Sequence, residues 1–84
     1  MLFLLGDYNR AKECDERALA INIEIGDRAG EASCYAGLGG VFRSFGENVK
    51  AKEYTERALA ITIEVGARRV EANCYGILGN IFSS

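Results

Sequence analysis

Three cysteines and two glutamates that recur at a fixed separation are the residues of this chain best suited to chemistry. Cys14, Cys34 and Cys74 could be nucleophiles or metal ligands, but they lack the C-x2-C spacing of a zinc site. Three thiols cannot all pair within one chain. Cys34 and Cys74 fall on the apolar face of a predicted helix, where they read as small reduced core residues. Reduced thiols point to a cytoplasmic or other reducing compartment. Glu31 and Glu71, 40 residues apart, could work as general acid and base. Both stand near predicted helix starts, where a carboxylate meets the helix dipole favourably, and that structural role is the simpler one. Histidine is absent, which removes imidazole bases, His-based triads and His metal ligands. The glycines stand inside predicted helices rather than after a strand, so the run Leu38-Gly39-Gly40 is no phosphate cradle. The expectation is therefore no enzymatic activity, no metal and no cofactor.

The elements that place these residues repeat. The stretch AKECDERALAINIEIG (11–26) returns 40 residues later as AKEYTERALAITIEVG (51–66), identical at twelve of sixteen positions. The likeness continues from RAGEASCYAGLGGVF (28–42) to RRVEANCYGILGNIF (68–82). A period of this size is the mark of stacked-repeat architecture. Gly6, Gly26, Gly46 and Gly66 recur every twenty residues, each placed to close a helix in the left-handed conformation. Asp7, Asp27 and Glu47 follow the first three as polar entries to the next helix. Ala67 follows the fourth and cannot cap.

Four helices are predicted, over 8–25, 28–45, 48–65 and 68–83. In the first, Ala11, Cys14, Ala18, Ile21 and Ile25 form an apolar stripe that Leu19 and Ile23 widen, as for a helix packed on two neighbours. Ala51, Tyr54, Ala58, Ile61 and Val65 repeat it. Four i,i+4 pairs, Lys12–Glu16, Glu13–Arg17, Lys52–Glu56 and Glu53–Arg57, read as a solvated outer face. Connections of two or three residues make consecutive helices antiparallel. Gly37, Gly39 and Gly40 together weaken helix 28–45 by about 2–3 kcal/mol, a cost that tertiary contact must offset. The start MLFLL (1–5) is too short to span a bilayer and has no signal-peptide flank. It aligns with VFRSF (41–45) and reads as a truncated helix end of a longer repeat array.

Composition sets the outer bounds. Eighty-four residues make a single small domain, and 49% hydrophobic with 26% charged residues suits a soluble globular chain rather than a disordered or membrane one. A net charge of −2 leaves no basic footprint for nucleic acid. The absence of proline agrees with a nearly all-helical fold.

Tyr35, Leu38, Gly39, Phe42, Ala51 and Ala58 stand as Tyr-x2-Leu-Gly-x2-Phe-x8-Ala-x6-Ala. That pattern resembles the tetratricopeptide repeat, with its Trp-x2-Leu-Gly-x2-Tyr signature followed by alanines. Tyr75, Leu78, Gly79 and Phe82 open a further copy, and Ala11 and Ala18 end an earlier one. The period of 40 rather than 34, and Ile63 in place of the usual proline, are similar to the variant in spindle-orientation adaptors of the Pins/LGN type and in long arrays like tetratricopeptide repeat protein 28. The resemblance implies an all-α fold in which helix–turn–helix hairpins stack as a right-handed solenoid. It also implies an intracellular scaffold that binds peptide segments of other proteins.

In such a solenoid the first helix of each hairpin lines the concave surface. The candidate peptide-binding residues are then Ser33, Ala36, Gly37, Gly40 and Arg43, with Asn73, Gly76, Ile77, Asn80 and Ser83 from the last helix. Asparagine amides both donate to and accept from a peptide backbone, and Arg43 could pair with an acidic side chain. Ser33 and Gly40 stand where the other copy has Asn73 and Asn80, so a two-repeat asparagine clamp is not present. The leading expectation is a protein-interaction module, and the alternative is a structural spacer. An uncovered stripe around Ala11, Ala18 and Leu19 would favour self-association, and so short an array should fold only marginally alone.

Overall fold

Three glycines twenty residues apart end three of the four helices. The computed structural model describes residues 5–83, with side chains from Asp7 onward. Its helices are α1 (Leu5–Ile25), α2 (Arg28–Ser44), α3 (Asn48–Val65) and α4 (Arg68–Ser83). Gly26, Gly46 and Gly66 take φ of 75°, 81° and 74°, the left-handed region where only glycine is unstrained. The same bond closes each helix: Asp27, Glu47 and Ala67 donate their backbone N–H to the carbonyls of Asn22, Phe42 and Thr62 at 2.9–3.0 Å. This six-to-one closure satisfies a carbonyl the helix end would leave unpaired. Connections of two or three residues then fold each helix back on its predecessor.

The helix starts differ from one another. The Asp27 carboxylate accepts from Gly30 N–H at 3.0 Å and caps α2. Glu47 makes no such bond and lies 3.7 Å from Lys50 instead. The expected break at Gly6 is not formed. Helix α1 runs on through Gly6 from Leu5, the first described residue, so Asp7 lies within a helix rather than at a cap. The rest of the stretch 1–5 lies outside the described residues.

The centre of the molecule is the α2–α3 hairpin. Leu38, Phe42 and Ala51 form one buried cluster, against which Leu19, Phe45, Tyr54 and Ile81 pack. Ala36, Ala58 and Cys74 form a second, with Tyr35, Leu59 and Val70 around it. Phe42 and Tyr54 stack at 5.3 Å with their planes 9° apart. At the closest approach of the two helices, Thr55 is fully buried and donates its hydroxyl to the Ala51 carbonyl at 2.6 Å. A Cβ on Gly39 would fall on Thr55 Oγ1 and 3.2 Å from that carbonyl oxygen. Glycine at 39 is therefore a requirement of helix contact, and its helix-weakening effect is offset by the packing it permits.

Among the described residues helix α1 packs on one neighbour, α2, not two. Its half-buried side is Tyr8, Lys12, Asp15, Leu19 and Asn22, turned toward α2, with Ala18 of the predicted stripe also half-buried. The predicted stripe of Ala11, Cys14, Ala18, Ile21 and Ile25 turns largely outward, leaving Ile21 57% and Ile25 68% exposed. Both stripes have helical spacing, and only the presence of α2 selects between them. Of the four expected charge pairs, Lys52–Glu56 forms at 3.9 Å. Arg57 turns instead onto the rings of Tyr54 and Tyr35, 5.6 and 6.0 Å from their centroids.

Two glycine substitutions separate contact from propensity. Gly39→Ala should lower stability by about 1–3 kcal/mol, as overpacking does. Gly40→Ala, where a Cβ meets nothing within 4 Å, should raise it by up to about 1 kcal/mol. Urea unfolding followed by circular dichroism measures both, and equal effects at the two positions would contradict the close contact.

Candidate functional site

The candidate site is a groove between α2 and α4. The helices that flank it both begin just after a left-handed glycine and both carry small residues on the facing side. Ser33, Ala36, Gly37 and Gly40 line it from α2, and Ala72, Asn73, Gly76, Ile77 and Asn80 from α4, with Val70 at one end. Its volume is about 520 Å³. Every lining side chain is uncharged. Gly40 and Gly76 leave the groove wide, since a Cβ on either would meet no atom within 4 Å.

Eight of the ten residues expected from sequence lie along this one groove, all but Arg43 and Ser83. Arg43 is exposed on the last turn of α2 and outside the lining. Ser83 is exposed at the end of α4 and donates its hydroxyl to the Gly79 carbonyl at 2.7 Å. Ala36 has a double role, because it is buried in the cluster with Ala58 and Cys74 and shows only its edge to the groove. Val70 and Ala72 were missed by the sequence reading. Val70 stands seven residues before Ile77 on the same helix, a spacing that could have found it.

Beneath the groove lies a carboxylate. A Cβ on Gly37 would come 2.8 Å from Asp15 Oδ2, so α1 brings Asp15 against the back of α2 at that point. Burial pushes the Asp15 carboxyl above the ordinary aspartate range. Nearby, Asn22 donates Nδ2–H to Cys34 Sγ at 3.4 Å. Burial raises the thiols of Cys34 and Cys74, with the Asn22 bond opposing it at Cys34, so both stay protonated and unreactive. Cys14 is exposed, and all three are free. Among the described residues no cluster of His, Cys, Asp or Glu could hold a metal ion.

Glu31 is buried and pairs with Arg28 at 2.9 Å; Arg28 also reaches Glu64 at 3.3 Å. The glutamate considered for acid–base work is thus one arm of a bridge that ties the start of α2 to the end of α3. Its two other members are about half exposed, so the bridge adds little stability.

The arrangement repeats Tyr35, Leu38, Gly39 and Phe42 against Ala51 and Ala58, and a family model for the tetratricopeptide repeat matches residues 1–64. The chain belongs to the tetratricopeptide repeat family. No curated protein and no solved structure matches it. The match ends before α4, although Tyr75, Leu78, Gly79 and Phe82 begin the tetratricopeptide pattern again there. Tetratricopeptide repeats are interaction modules, typically without catalytic activity of their own. Among the described residues no helix is long and apolar enough to cross a membrane.

Asp15 gives the site a testable pH dependence. Because burial raises its folded-state pKa above the unfolded value, the folded chain holds this proton more tightly. The resulting stability is complete below the ordinary value of 3.8 and is lost as pH rises through the raised pKa. Asp15→Asn should therefore be more stable than the parent at about pH 7, with the difference vanishing toward about pH 3. Paired denaturation curves at the two values measure this, and a constant difference would contradict it.

Proposed function

We propose that the α2–α4 groove binds an extended peptide segment of a partner protein. The observation that carries the reading is a groove of about 520 Å³ whose lining combines amides and a hydroxyl with small apolar groups and no charge. Asn73 and Asn80 stand seven residues apart on α4, a spacing of about two turns, and each amide can donate and accept along a peptide backbone. Ile77 lies between them and offers an apolar contact. Gly40 and Gly76, where a Cβ would meet nothing within 4 Å, let the ligand's main chain come close. Recognition of this kind is by shape and backbone hydrogen bonding, so the ligand needs an extended, weakly charged stretch rather than an acidic or basic run. Free, buried thiols at Cys34 and Cys74 suit a reducing setting such as the cytoplasm.

A spacer role is the rival reading, and glycine at three lining positions favours it, because glycine offers no side chain to a ligand. Peptide-library capture followed by titration decides between them. Asn73→Ala and Asn80→Ala should each weaken binding by about 2- to 12-fold, the loss of roughly one net hydrogen bond. Raising the salt concentration should leave the affinity nearly unchanged. A peptide bound equally well by both variants, or one released by salt, would place recognition elsewhere.

A further inference from the structure

The uncharged groove has an apolar bottom, which is the edge of a core cluster. Ala36 belongs to the cluster with Ala58 and Cys74, and Val70 packs against it; both also line the groove. Half-buried Ile77 stands two turns beyond Val70 on α4 and extends the same apolar wall. Above this wall there is room. Gly76 stands where the other copy has Ala36, and a Cβ there would meet nothing within 4 Å. The same holds for Gly40 on the α2 side, whereas a Cβ on Gly37 would come 2.8 Å from Asp15 Oδ2. The room at Gly76 lies between two amides, since Asn73 precedes it on the helix and Asn80 follows one turn later.

We infer that this room takes one large apolar side chain of the bound peptide, and that Gly76 sets the size accepted. The inference rests on the peptide-binding reading above and adds what the peptide must carry. Along a helix, Asn73 and Asn80 are separated by a rise of about 10 Å, which an extended chain covers in about three residues. Successive side chains of such a chain point to opposite sides. A main chain held at the two amides therefore turns one side chain down onto Val70, Ile77 and Ala36 and the neighbours of that residue outward. Charge decides the chemistry of the inward side chain. Nothing in the lining is charged, so a Lys, Arg, Asp or Glu there would leave water without gaining a partner. An apolar side chain is instead favoured by its removal from water. Selectivity then comes from one position of the peptide, while its backbone supplies the hydrogen bonds.

Capture from a randomised decapeptide library on the 84-residue chain, followed by titration of a recovered peptide, tests this. The recovered sequences should share one position rich in Leu, Ile, Met or Phe, with the residues on either side of it unrestricted. Truncating that side chain to Ala should weaken binding by about 10- to 150-fold. Gly76→Leu fills the same room from the protein side. It should keep the helical signal, because leucine favours a helix more than glycine does. It should also bind the truncated peptide better than the parent peptide, reversing the order. Gly40→Leu, from the α2 side, carries the same expectation and serves as a second variant. A peptide weakened by Asn73→Ala but indifferent to the truncation and to both leucine variants would overturn the inference and leave the groove reading in place. So would a shared position rich in charged residues. Recovery of no peptide, or of one indifferent to Asn73→Ala and to both leucine variants alike, would remove the groove reading and this inference with it.

Discussion

The approach of α2 to α3 at Gly39 is the constraint on which the rest of the structure depends. Thr55 Oγ1 and the Ala51 carbonyl occupy the space a side chain would need. The contact is available only to a residue that weakens its own helix, so α2 depends on its neighbour for order. Once the two helices meet, Leu38 and Phe42 are sealed beneath Ala51, and Tyr54 stacks on Phe42. The position of α2 then fixes both outer helices. Leu19 brings α1 into the Leu38–Phe42 cluster, and Cys74 brings α4 onto Ala36 and Ala58.

The groove follows from the same geometry. Helices α2 and α4 are equivalent members of successive repeats, and α3 lies between them in the chain. Small residues on their facing sides leave a channel rather than a packed seam. The motif repeated in both copies therefore builds the frame, while Ser33 and Gly40 on one side differ from Asn73 and Asn80 on the other. The two sides of the groove therefore present different chemistry, where a strictly repeated pattern would present the same one along the stack.

Much of this was legible in the sequence. The twenty-residue glycine spacing marked the turns, and helices 48–65 and 68–83 match α3 and α4 at both ends. The motif residues Tyr35, Leu38, Gly39 and Phe42 were enough to give the central contact. What was not legible depended on neighbours. The stripe of Ala11, Cys14, Ala18, Ile21 and Ile25 and the line of Tyr8, Asp15, Leu19 and Asn22 both have helical spacing, and the more apolar of the two is the one left uncovered at every position but Ala18. Polar residues such as Asp15 and Asn22 gave no sign of packing, because their contacts are made against α2, Asp15 beside Gly37 and Asn22 beside Gly30 and Cys34. Arg57 was assigned to Glu53 by spacing, yet two aromatic rings within reach hold it instead. The break foreseen at Gly6 failed because a glycine permits a turn without requiring one.

Native-state hydrogen exchange tests the central claim most directly, since it resolves stability helix by helix. If the α2–α3 contact organises the molecule, amides of α2 around Leu38–Phe42 and of α3 around Ala51–Ile61 should be the slowest to exchange. Those of α1 and of α4 beyond Cys74 should exchange through cheaper local openings. Protection that is uniform across the four helices, or greatest in α1, would contradict it.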